Sequence, residues 1–448
     1  MSKTLIRLTA AGLCLLAACA QTPAVQSASL AVSEPEQAPD VLRGELVIER
    51  VTTAVPWPRG VRFVDGKLYA VARGVHRSAG GPQAEIEDRA GTIFQIDPSV
   101  FEPADADQPV SDAVRQNGRA IAEPTAPPFN VWDRRMPATL DTKADRPYCM
   151  LVWDDITQNF FVCAYSGIDL PTAENFRKNA TDAVYRFDTR TGKWLTVEAH
   201  DPSVVPVEEL GTNVDSRYYP HHDVTENPAP HGLVNGACGA EVVGRFLYVG
   251  AKDNSAVAQY DLSAIRADPN APAPPGRYIF EGSKGDAYFP VEGHGMMKLN
   301  GTCALTAHEG WLYVAFRTTS QIIRIPLQED GDIAPDAVGQ LIAQWPLWDP
   351  VTERGSANIY DMEFDTEGRL YVSPGYDGAV YRFTPDPDYV YDATKIDYVP
   401  YVDLTELVGA KRSGNICFDD EGSLYICTGQ DVTPDEPTSG VIYRIRER

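Results

Sequence analysis

The chain has 448 residues, of which 43% are hydrophobic, and this is long enough for one large domain or two ordinary domains with a sizeable core. Its formal net charge of −24 excludes nucleic acid as a partner, because such a surface repels the phosphate backbone and anionic lipid head groups alike. The 35 glycines and 35 prolines indicate many turns.

The first 18 residues have the pattern of a secretory signal peptide. Lys3 and Arg7 form a positive start, and the apolar stretch that follows is too short to span a bilayer. The stretch ends in Leu16-Ala17-Ala18-Cys19, which resembles a bacterial lipobox and implies cleavage before Cys19 and lipidation of its sulfur. A plain signal peptide with an incidental cysteine is the alternative. Residue 20 is Ala rather than Asp, which by resemblance to lipoprotein sorting rules favours the outer membrane.

Residues 19–43 are predicted to be a flexible tether, because they are rich in Ala, Ser, Pro, Gln and Glu. The acyl chains on Cys19, palmitate among them, would be the only contact with the membrane, since two or more chains give stable anchoring. We expect the globular part, residues 44–448, to lie in the periplasm or at the cell surface as a monomer.

One strand–turn–strand unit recurs along residues 44–448. Its second strand carries an aromatic pair or a Leu-Tyr pair, and five of the six copies follow a glycine turn, which suits a tight hairpin. The pairs are Leu68-Tyr69, Phe160-Phe161, Leu247-Tyr248, Leu312-Tyr313, Leu370-Tyr371 and Leu424-Tyr425.

A third strand follows each pair, as in Gly378-Ala-Val-Tyr-Arg-Phe383. Because strands recur with no helical periodicity between them, the pattern predicts an all-β fold, a six-bladed β-propeller with one copy of the unit per blade. A β-sandwich with coincidental hairpins is the alternative. The alternating segment Leu46–Val51 has no hairpin partner of its own, so we predict that this N-terminal strand forms the outer strand of the last blade and closes the ring.

Three parts of the chain carry a family resemblance: Asn235–Ala240 with Leu247–Val249, Asn358–Val372 with Val380–Phe383, and the last blade. They resemble the six-bladed propellers of the NHL, SMP-30/gluconolactonase and strictosidine-synthase-like group. The resemblance covers most of residues 44–448 but concerns architecture, because this group hosts many unrelated functions.

The cysteines predict a disulfide framework. Six remain after Cys14 and Cys19 are set aside, and an even number in an exported protein suggests three disulfides. The pairs expected from the strands are Cys149–Cys163 within blade two, Cys417–Cys427 within blade six, and Cys238–Cys303 between blades three and four. For the last pair, a thiolate metal site and two free buried thiols are alternatives.

The resemblance also implies calcium as a cofactor at the channel mouth. In the gluconolactonase-like family the ion is held by one Glu, Asn residues and an Asp, and here Asn235, Asn300 and Asp361 could take those parts. The corresponding first-blade position is near Arg59 rather than a Glu, and Arg would repel a cation. The alternative is that these Asn and Asp residues satisfy the backbone of turns.

A second group of candidates consists of His, Arg and Tyr residues before innermost strands, after the second strand of blade one and in the insertion of blade two. Basic groups gathered at one mouth of so acidic a protein would suit an anionic ligand, since Arg binds a carboxylate or sulfate at two points. His with Tyr would serve as acid and base near neutral pH, unless these His only cap loops or pair with nearby acids. The acid–base candidates are His231, His294 and His222, and the anion-binding candidates are Arg73, Arg146, Arg177 and Tyr148.

These observations lead to two functional hypotheses. The first is a propeller that binds an anionic small molecule or saccharide at the channel mouth and processes it as a lactonase, ester hydrolase or uronate lyase. The second is a non-catalytic NHL-type propeller that binds a protein partner. The sequence contains no convincing nucleophile elbow, P-loop or dinucleotide-binding motif that would name a reaction.

Overall fold

The structure of the protein is a computed structural model. It describes residues 46–72, 92–105, 108–122, 147–166, 183–199, 234, 237–252, 255–271, 276–280, 282–283, 286–344, 359–375, 378–385, 400–410, 413–429 and 440–448. All of them belong to one unit, Glu45–Arg448. The predicted signal peptide, Cys19 and the predicted tether lie outside the described residues.

Six antiparallel four-stranded sheets are arranged as the blades of a β-propeller. The innermost strand of every blade packs against the innermost strands of both neighbouring blades, so the ring is closed and the predicted fold is confirmed. From the innermost strand outward, blades one to three are Pro58–Val64, Lys67–Ala72, Ile93–Ile96 and Arg119–Ala122; Pro147–Asp154, Asn159–Ser166, Ala183–Asp188 and Lys193–Ala199; and Ala237–Val243, Phe246–Ala251, Ala256–Asp261 and Arg277–Phe280. Blades four to six are Thr302–His308, Trp311–Phe316, Gln321–Pro326 and Gln340–Gln344; Ile359–Phe364, Leu370–Pro374, Ala379–Phe383 and Pro400–Asp403; and Ser413–Phe418, Leu424–Thr428, Val441–Glu447 and Leu46–Thr52.

The N-terminal strand closes the ring as predicted. Leu46–Thr52 pairs antiparallel with Val441–Glu447, the last strand of the chain. The buried Glu49 carboxylate holds the two together, because it accepts a hydrogen bond of 2.7 Å from Arg444 Nε and pairs with Arg446 at 3.4 Å. A short strand, Glu102–Pro103, then covers the outer edge of Leu46–Thr52.

The turns that the repeat predicted have the backbone of tight hairpins. Asp65 and Gly66 both have positive φ, at 49° and 73°, and Glu309 and Gly310 repeat this at 45° and 78°. Two successive positive φ values define the turn type whose twist matches that of paired strands. Asp-Gly and Glu-Gly therefore fix where each innermost strand ends and its partner begins.

The core lies between the blades. Among the described residues, the buried apolar side chains form six clusters, one at each interface between neighbouring blades. The aromatic residues of the repeat occupy these interfaces, and Phe161, Tyr248 and Tyr425 are fully buried. Each blade thus buries both faces against its neighbours, which leaves the innermost strands to line the axis.

A hairpin that the repeat did not predict lies between blades three and four. Its strands are Asp286–Val291 and Gly295–Asn300, with Gly282–Ser283 at one edge. Phe289, Val291 and Leu299 are buried in the core cluster that joins the two blades. The hairpin is therefore part of the packed structure, and it connects directly to the innermost strand of blade four.

Three short helices complete the described part of the chain, and they span Asp112–Gln116, Ser263–Ala267 and Leu404–Val408. Asp403 caps the third by accepting hydrogen bonds from the amides of Thr405 and Glu406. No helix among the described residues combines the length and apolar character that a membrane crossing requires.

Candidate functional site

The innermost strands carry a β-bulge near their first residues in five of the six blades. Each has one more residue than its partner strand, whereas blade two keeps a regular register throughout. Bulges redirect side chains and are common next to active sites. The bulged positions include Arg59, Cys238, Cys303 and Tyr360, and we call these four residues the mouth ring, because they lie at the end of the channel where the innermost strands begin.

Basic residues from a second set of positions reach the same end of the channel. The second strand of each blade runs antiparallel to the innermost one and therefore ends at the mouth. Lys252 and Arg317 directly follow second strands in blades three and four, and both are half-buried. Arg73 follows the second strand of blade one, but it lies outside the described residues. Blades three and four thus present a basic residue here.

In blade five the corresponding position is Gly375, and the geometry explains why. A methyl group on Gly375 would overlap the ring of Tyr360. The glycine therefore lets the Tyr360 ring lie flat against its own blade, where it is 5% exposed. The position of this ring determines where the guanidinium groups that pack against it lie.

Two guanidinium groups share the ring of Tyr360. The central carbon of Arg59 lies 4.5 Å from the ring centroid, and that of Arg317 lies 5.2 Å from it. Both distances are within the range of a cation–π interaction, which orients a guanidinium. Two fixed guanidinium groups beside one ring form a positive patch in a protein of net charge −24.

A pair of thiols adjoins this patch. The Cys303 thiol is buried and hydrogen-bonded to the half-buried Cys238 thiol, and this hydrogen bond is the main influence that lowers the pKa of Cys303, against the opposing effect of burial. The positive charges of Arg317, Lys252 and Arg59 lower that pKa further. All three cations therefore act on one point of the mouth, and they stabilise negative charge there.

The predicted disulfides are not formed, because Cys163, Cys238, Cys303, Cys417 and Cys427 are free thiols. In blade two the register places Cys163 opposite Met150 and Cys149 opposite Ala164, so the two positions fall on alternate faces of the sheet. The sequence alone does not fix this one-residue offset.

In blade six the register that is set at the hairpin turn prevents the predicted cross-link. Cys417 lies opposite Tyr425, which makes Cys427 its diagonal neighbour. Diagonal positions are about 7–8 Å apart, beyond the reach of a disulfide. For Cys238 and Cys303 the neighbouring blades do bring the two together, as predicted, but as a pair of thiols.

Deeper in the channel, a second ring consists of the innermost-strand residues that lie opposite the second residue of each repeat pair. We call it the inner ring, and its members are Arg62, Val152, Glu241, Thr306, Glu363 and Cys417. The charged members come from blades one, three and five, which alternate around the axis.

Arg62 is the centre of the inner ring. Its Nη1 lies 3.3 Å from Glu363 Oε2 and donates to the carbonyl oxygen of Ile416 at 3.2 Å, and its Nη2 lies 3.9 Å from Glu241 Oε2. Burial alone would lower the pKa of the guanidinium, but the charges of Glu363, Asp361 and Glu241 outweigh it and raise that pKa. Arg62 is therefore held as a cation inside the channel.

The carboxyl groups around Arg62 are held partly protonated near neutral pH. Burial, together with the charge of Glu363, raises the pKa of Glu241 to about 8 although Arg62 opposes the shift. Burial raises the pKa of Glu363 to about 7, again against the effect of Arg62 and with help from Asp361. One guanidinium cannot compensate three carboxylates, so protons make up the difference.

Asp361, a predicted calcium ligand, belongs to this charged cluster. Its side chain is fully buried, and its Oδ2 accepts a hydrogen bond of 2.9 Å from the amide of Ile416. Burial raises its pKa, and the charge of Arg62 opposes the rise. No group of three or more His, Cys, Asp or Glu among the described residues converges as a metal site. Calcium at Asp361 stays a prediction.

Asn300, the second predicted calcium ligand, is at the mouth. Its backbone carbonyl accepts from the amides of Thr318 and Thr319, at 3.1 and 3.4 Å, in the loop that follows Arg317. Its amide donates to Thr319 Oγ1 at 3.3 Å. The backbone of Asn300 therefore anchors the loop that carries Arg317. The third predicted ligand, Asn235, lies outside the described residues.

His294 is at the opposite end of blade four from the mouth, so its predicted position beside an innermost strand is wrong. It forms part of the exposed turn between Val291 and Gly295. That turn is bonded to Gly339, whose carbonyl accepts from the amide of Glu292 at 2.8 Å. Gly339 directly precedes the outer strand of blade four, which begins at the end away from the mouth because strands alternate in direction.

Most other candidates cannot be placed. His222, His231, Arg73, Arg146 and Arg177 lie outside the described residues. For Tyr148 and Cys149 the structure gives only the backbone, within the innermost strand of blade two.

The residues that sequence reasoning missed are Arg62, Glu241, Glu363 and Lys252. A signal for the first three exists, because each lies opposite an aromatic residue of the repeat, at Tyr69, Tyr248 and Tyr371. Lys252 is marked by its place directly after a second strand, which it shares with Arg317.

Comparisons with known proteins add no family. No family model matches the sequence, and no curated protein matches it. Similar solved structures include a PQQ-bound aldose sugar dehydrogenase from Streptomyces coelicolor, at 11% identity and a TM-score of 0.44 over 90% of this chain and 98% of that one. They also include a catalytically inactive virginiamycin B lyase from Staphylococcus aureus with quinupristin, at 11% identity and a TM-score of 0.39 over 90% and 99%. A structure of a nidogen–laminin complex has 11% identity and a TM-score of 0.36 over 76% and 86%. Similarities this low carry no argument about ligand or activity, and the architecture of the chain itself identifies a six-bladed β-propeller.

Proposed function

We propose that the protein is an exported, lipid-anchored propeller that binds an anionic small molecule or saccharide at the mouth of its channel. The observation that carries this proposal is the pair of guanidinium groups of Arg59 and Arg317 beside Tyr360. Export and anchoring through Cys19 rest on the N-terminal sequence alone.

The charge of the patch decides the class of ligand. In a chain of net charge −24, the mouth concentrates Arg59, Arg317 and Lys252 around Cys303. A carboxylate or sulfate would bind Arg in two-point geometry and is favoured over a neutral sugar, because charge-assisted hydrogen bonds are the stronger ones. A uronate-bearing saccharide carries such a carboxylate and is of a size that suits a channel mouth.

Processing of the ligand, as a lyase or a lactonase-type hydrolase, would require an acid–base pair at the same place. His231 and His222 precede the innermost strand of blade three in the sequence, so they would approach the mouth from that blade. His294 cannot contribute, because it is at the other end of blade four. Binding of the anion is therefore the first property to test.

The test is calorimetric titration of the full chain with galacturonate and, in parallel, with neutral galactose. We expect galacturonate to bind more tightly, and Arg317→Gln to weaken its binding by about 10-fold or more, since a charge-assisted hydrogen bond contributes about 1.5–3 kcal/mol. Arg245→Gln is the matched control, because Arg245 pairs with Asp261 at the turn that ends the innermost strand of blade three, away from the mouth. Equal affinity for the two sugars would contradict the proposal.

A further inference from the structure

We propose that Cys238 and Cys303 form a thiol-exchange site that reacts with disulfides of anionic low-molecular-weight thiols. The site shares Arg317 and Lys252 with the proposed anion site, and its preference for anionic reagents rests on that proposed function. The reactivity of the thiols does not rest on the proposed function, because it depends on the pairing of the two sulfurs.

The two thiols are brought together by the fold. Each is the extra residue of a β-bulge, in the innermost strands of neighbouring blades three and four. These strands approach so closely that a methyl group on Gly239 would overlap the carbonyl oxygen of Cys303. Glycine at position 239 thus permits the contact that places the Cys238 and Cys303 thiols within hydrogen-bonding distance.

The electrostatics of the pair favour a thiolate, which is the reactive form in exchange. The hydrogen bond from Cys238 and the positive charges of Arg317, Lys252 and Arg59 lower the pKa of Cys303, although burial opposes them. A hydrogen-bonded thiol–thiolate pair shares one proton. Cys303 carries the stabilised charge and can accept the proton of Cys238, and Cys238, the half-buried member, is the sulfur that a reagent reaches.

The other described cysteines provide a contrast within the same protein. Cys417 and Cys427 are packed in the core between blades six and one, and burial raises the pKa of both thiols. Cys163 is fully buried in the core between blades two and three. Buried thiols with raised pKa values are inert, so Cys417 and Cys427 serve as internal controls.

The reaction proceeds in two balanced steps. The Cys303 thiolate takes the proton of the Cys238 thiol, and the Cys238 sulfur attacks one sulfur of the reagent, which forms a mixed disulfide, breaks the sulfur–sulfur bond of the reagent and releases one thiolate. The Cys303 thiol then gives up its proton to solvent and attacks the Cys238 sulfur, which releases the second thiolate. Two electrons pass from the protein thiols to the reagent, and the pair ends as a disulfide.

The test uses dithionitrobenzoate, a dianionic aromatic disulfide, and dithiodipyridine, a neutral one, on the native full chain. Peptide mapping after short exposure should find Cys238 and Cys303 oxidised while Cys417 and Cys427 remain unmodified. Arg317→Gln should slow the anionic reagent roughly tenfold at low salt and leave the neutral reagent unchanged, because local charge governs encounter rates. Lys252→Gln provides a second variant, and urea unfolding of both confirms that they fold.

Stoichiometry tests the pairing itself. The wild type should release two thiolates per pair and keep no adduct, whereas Cys303→Ser should release one and retain the reagent on Cys238. Modification of Cys417 or Cys427 as fast as the pair would overturn the proposal, as would an adduct that persists in the wild type. Equal effects of Arg317→Gln on the rates of both reagents would refute the preference for anionic reagents. The titration with galacturonate tests the proposed anion-binding function separately.

Discussion

The mouth ring and the inner ring are built on the same innermost strands, yet their arginine side chains are held by different kinds of contact. Arg59 and Arg62 are three residues apart on one strand. Arg62 lies among carboxylates and within hydrogen-bonding reach of the Ile416 carbonyl. Arg59 packs over the ring of Tyr360. One cation is compensated inside the protein, and the other is oriented at the channel entrance.

The difference arises from the backbone. Inner-ring residues lie in the regular part of each strand, where every residue has a cross-strand partner. Successive side chains there point to opposite faces of the sheet. Mouth-ring residues sit in bulges, which change the direction of a side chain without changing the rest of the strand. The regular part of the strands thus produces the buried charged inner ring, and the bulges produce the mouth ring.

Removing the guanidinium of Arg62 tests the inner ring, where we expect the largest loss of stability. Arg62→Met would leave Glu241, Glu363 and Asp361 without their guanidinium, and breaking a buried ion pair in this way costs about 3–5 kcal/mol. Urea unfolding at pH 8 should show this loss, with a smaller one at pH 5, where protonation of the carboxyl groups relieves their repulsion.

A surface ion pair gives the matched control. Arg245 pairs with Asp261 and Asp330, and all three side chains are more than a third exposed, so Arg245→Met should cost at most about 1 kcal/mol. Equal losses for Arg62→Met and Arg245→Met would show that the inner ring is no more than a solvated surface cluster.

Gly239→Ala tests the mouth at its closest backbone approach. The added methyl would overlap the Cys303 carbonyl oxygen, so the strands of blades three and four must separate. We expect a loss of about 3 kcal/mol by urea unfolding, at the upper end of overpacking costs. Gly66→Ala is the comparison, because nothing lies within 4 Å of its added methyl and only its φ of 73° opposes the change, at about 1 kcal/mol. A loss no larger than that of Gly66→Ala would contradict the tight contact.

The fold could be predicted because its signals are local. A hairpin is specified by the turn between its own strands, as at Asp65-Gly66, and the closing strand Leu46–Thr52 is marked by alternation without a nearby partner. Each signal involves residues close in sequence. The ring then follows from the number of copies, since closure is what removes the exposed sheet edges.

The site could be predicted only in part. The sequence indicated that Cys238 and Cys303 meet and that a basic mouth exists, but a bulge adds one residue and so breaks the alternation by which a side chain is placed. The disulfide expected between Cys417 and Cys427 failed because the hairpin register places Tyr425, and not Cys427, opposite Cys417. His294 was misplaced because its loop folds into a hairpin of its own.

Titration of the inner ring offers the subtlest test. Glu241 and Glu363 have pKa values raised from 4.5 to about 8 and about 7 in the folded protein. The folded state therefore keeps protons that the unfolded chain releases near pH 4.5. Stability from these groups is fully present below that pH and is lost as the pH rises through about 7 and 8.

Glu241→Gln removes one titrating group and leaves Arg62 paired with Glu363. The variant should match the wild type at pH 5 and be more stable by roughly 1–2 kcal/mol at pH 8.5, because a pKa difference of one unit corresponds to about 1.4 kcal/mol and solvent screens part of it. Urea midpoints across this range measure the effect. Glu309→Gln, at a side chain that is 79% exposed, should leave the pH profile unchanged. Parallel profiles for Glu241→Gln and the wild type would mean that the carboxylates of the inner ring ionise as they do in water, and the contrast between a compensated interior and a charged entrance would then disappear.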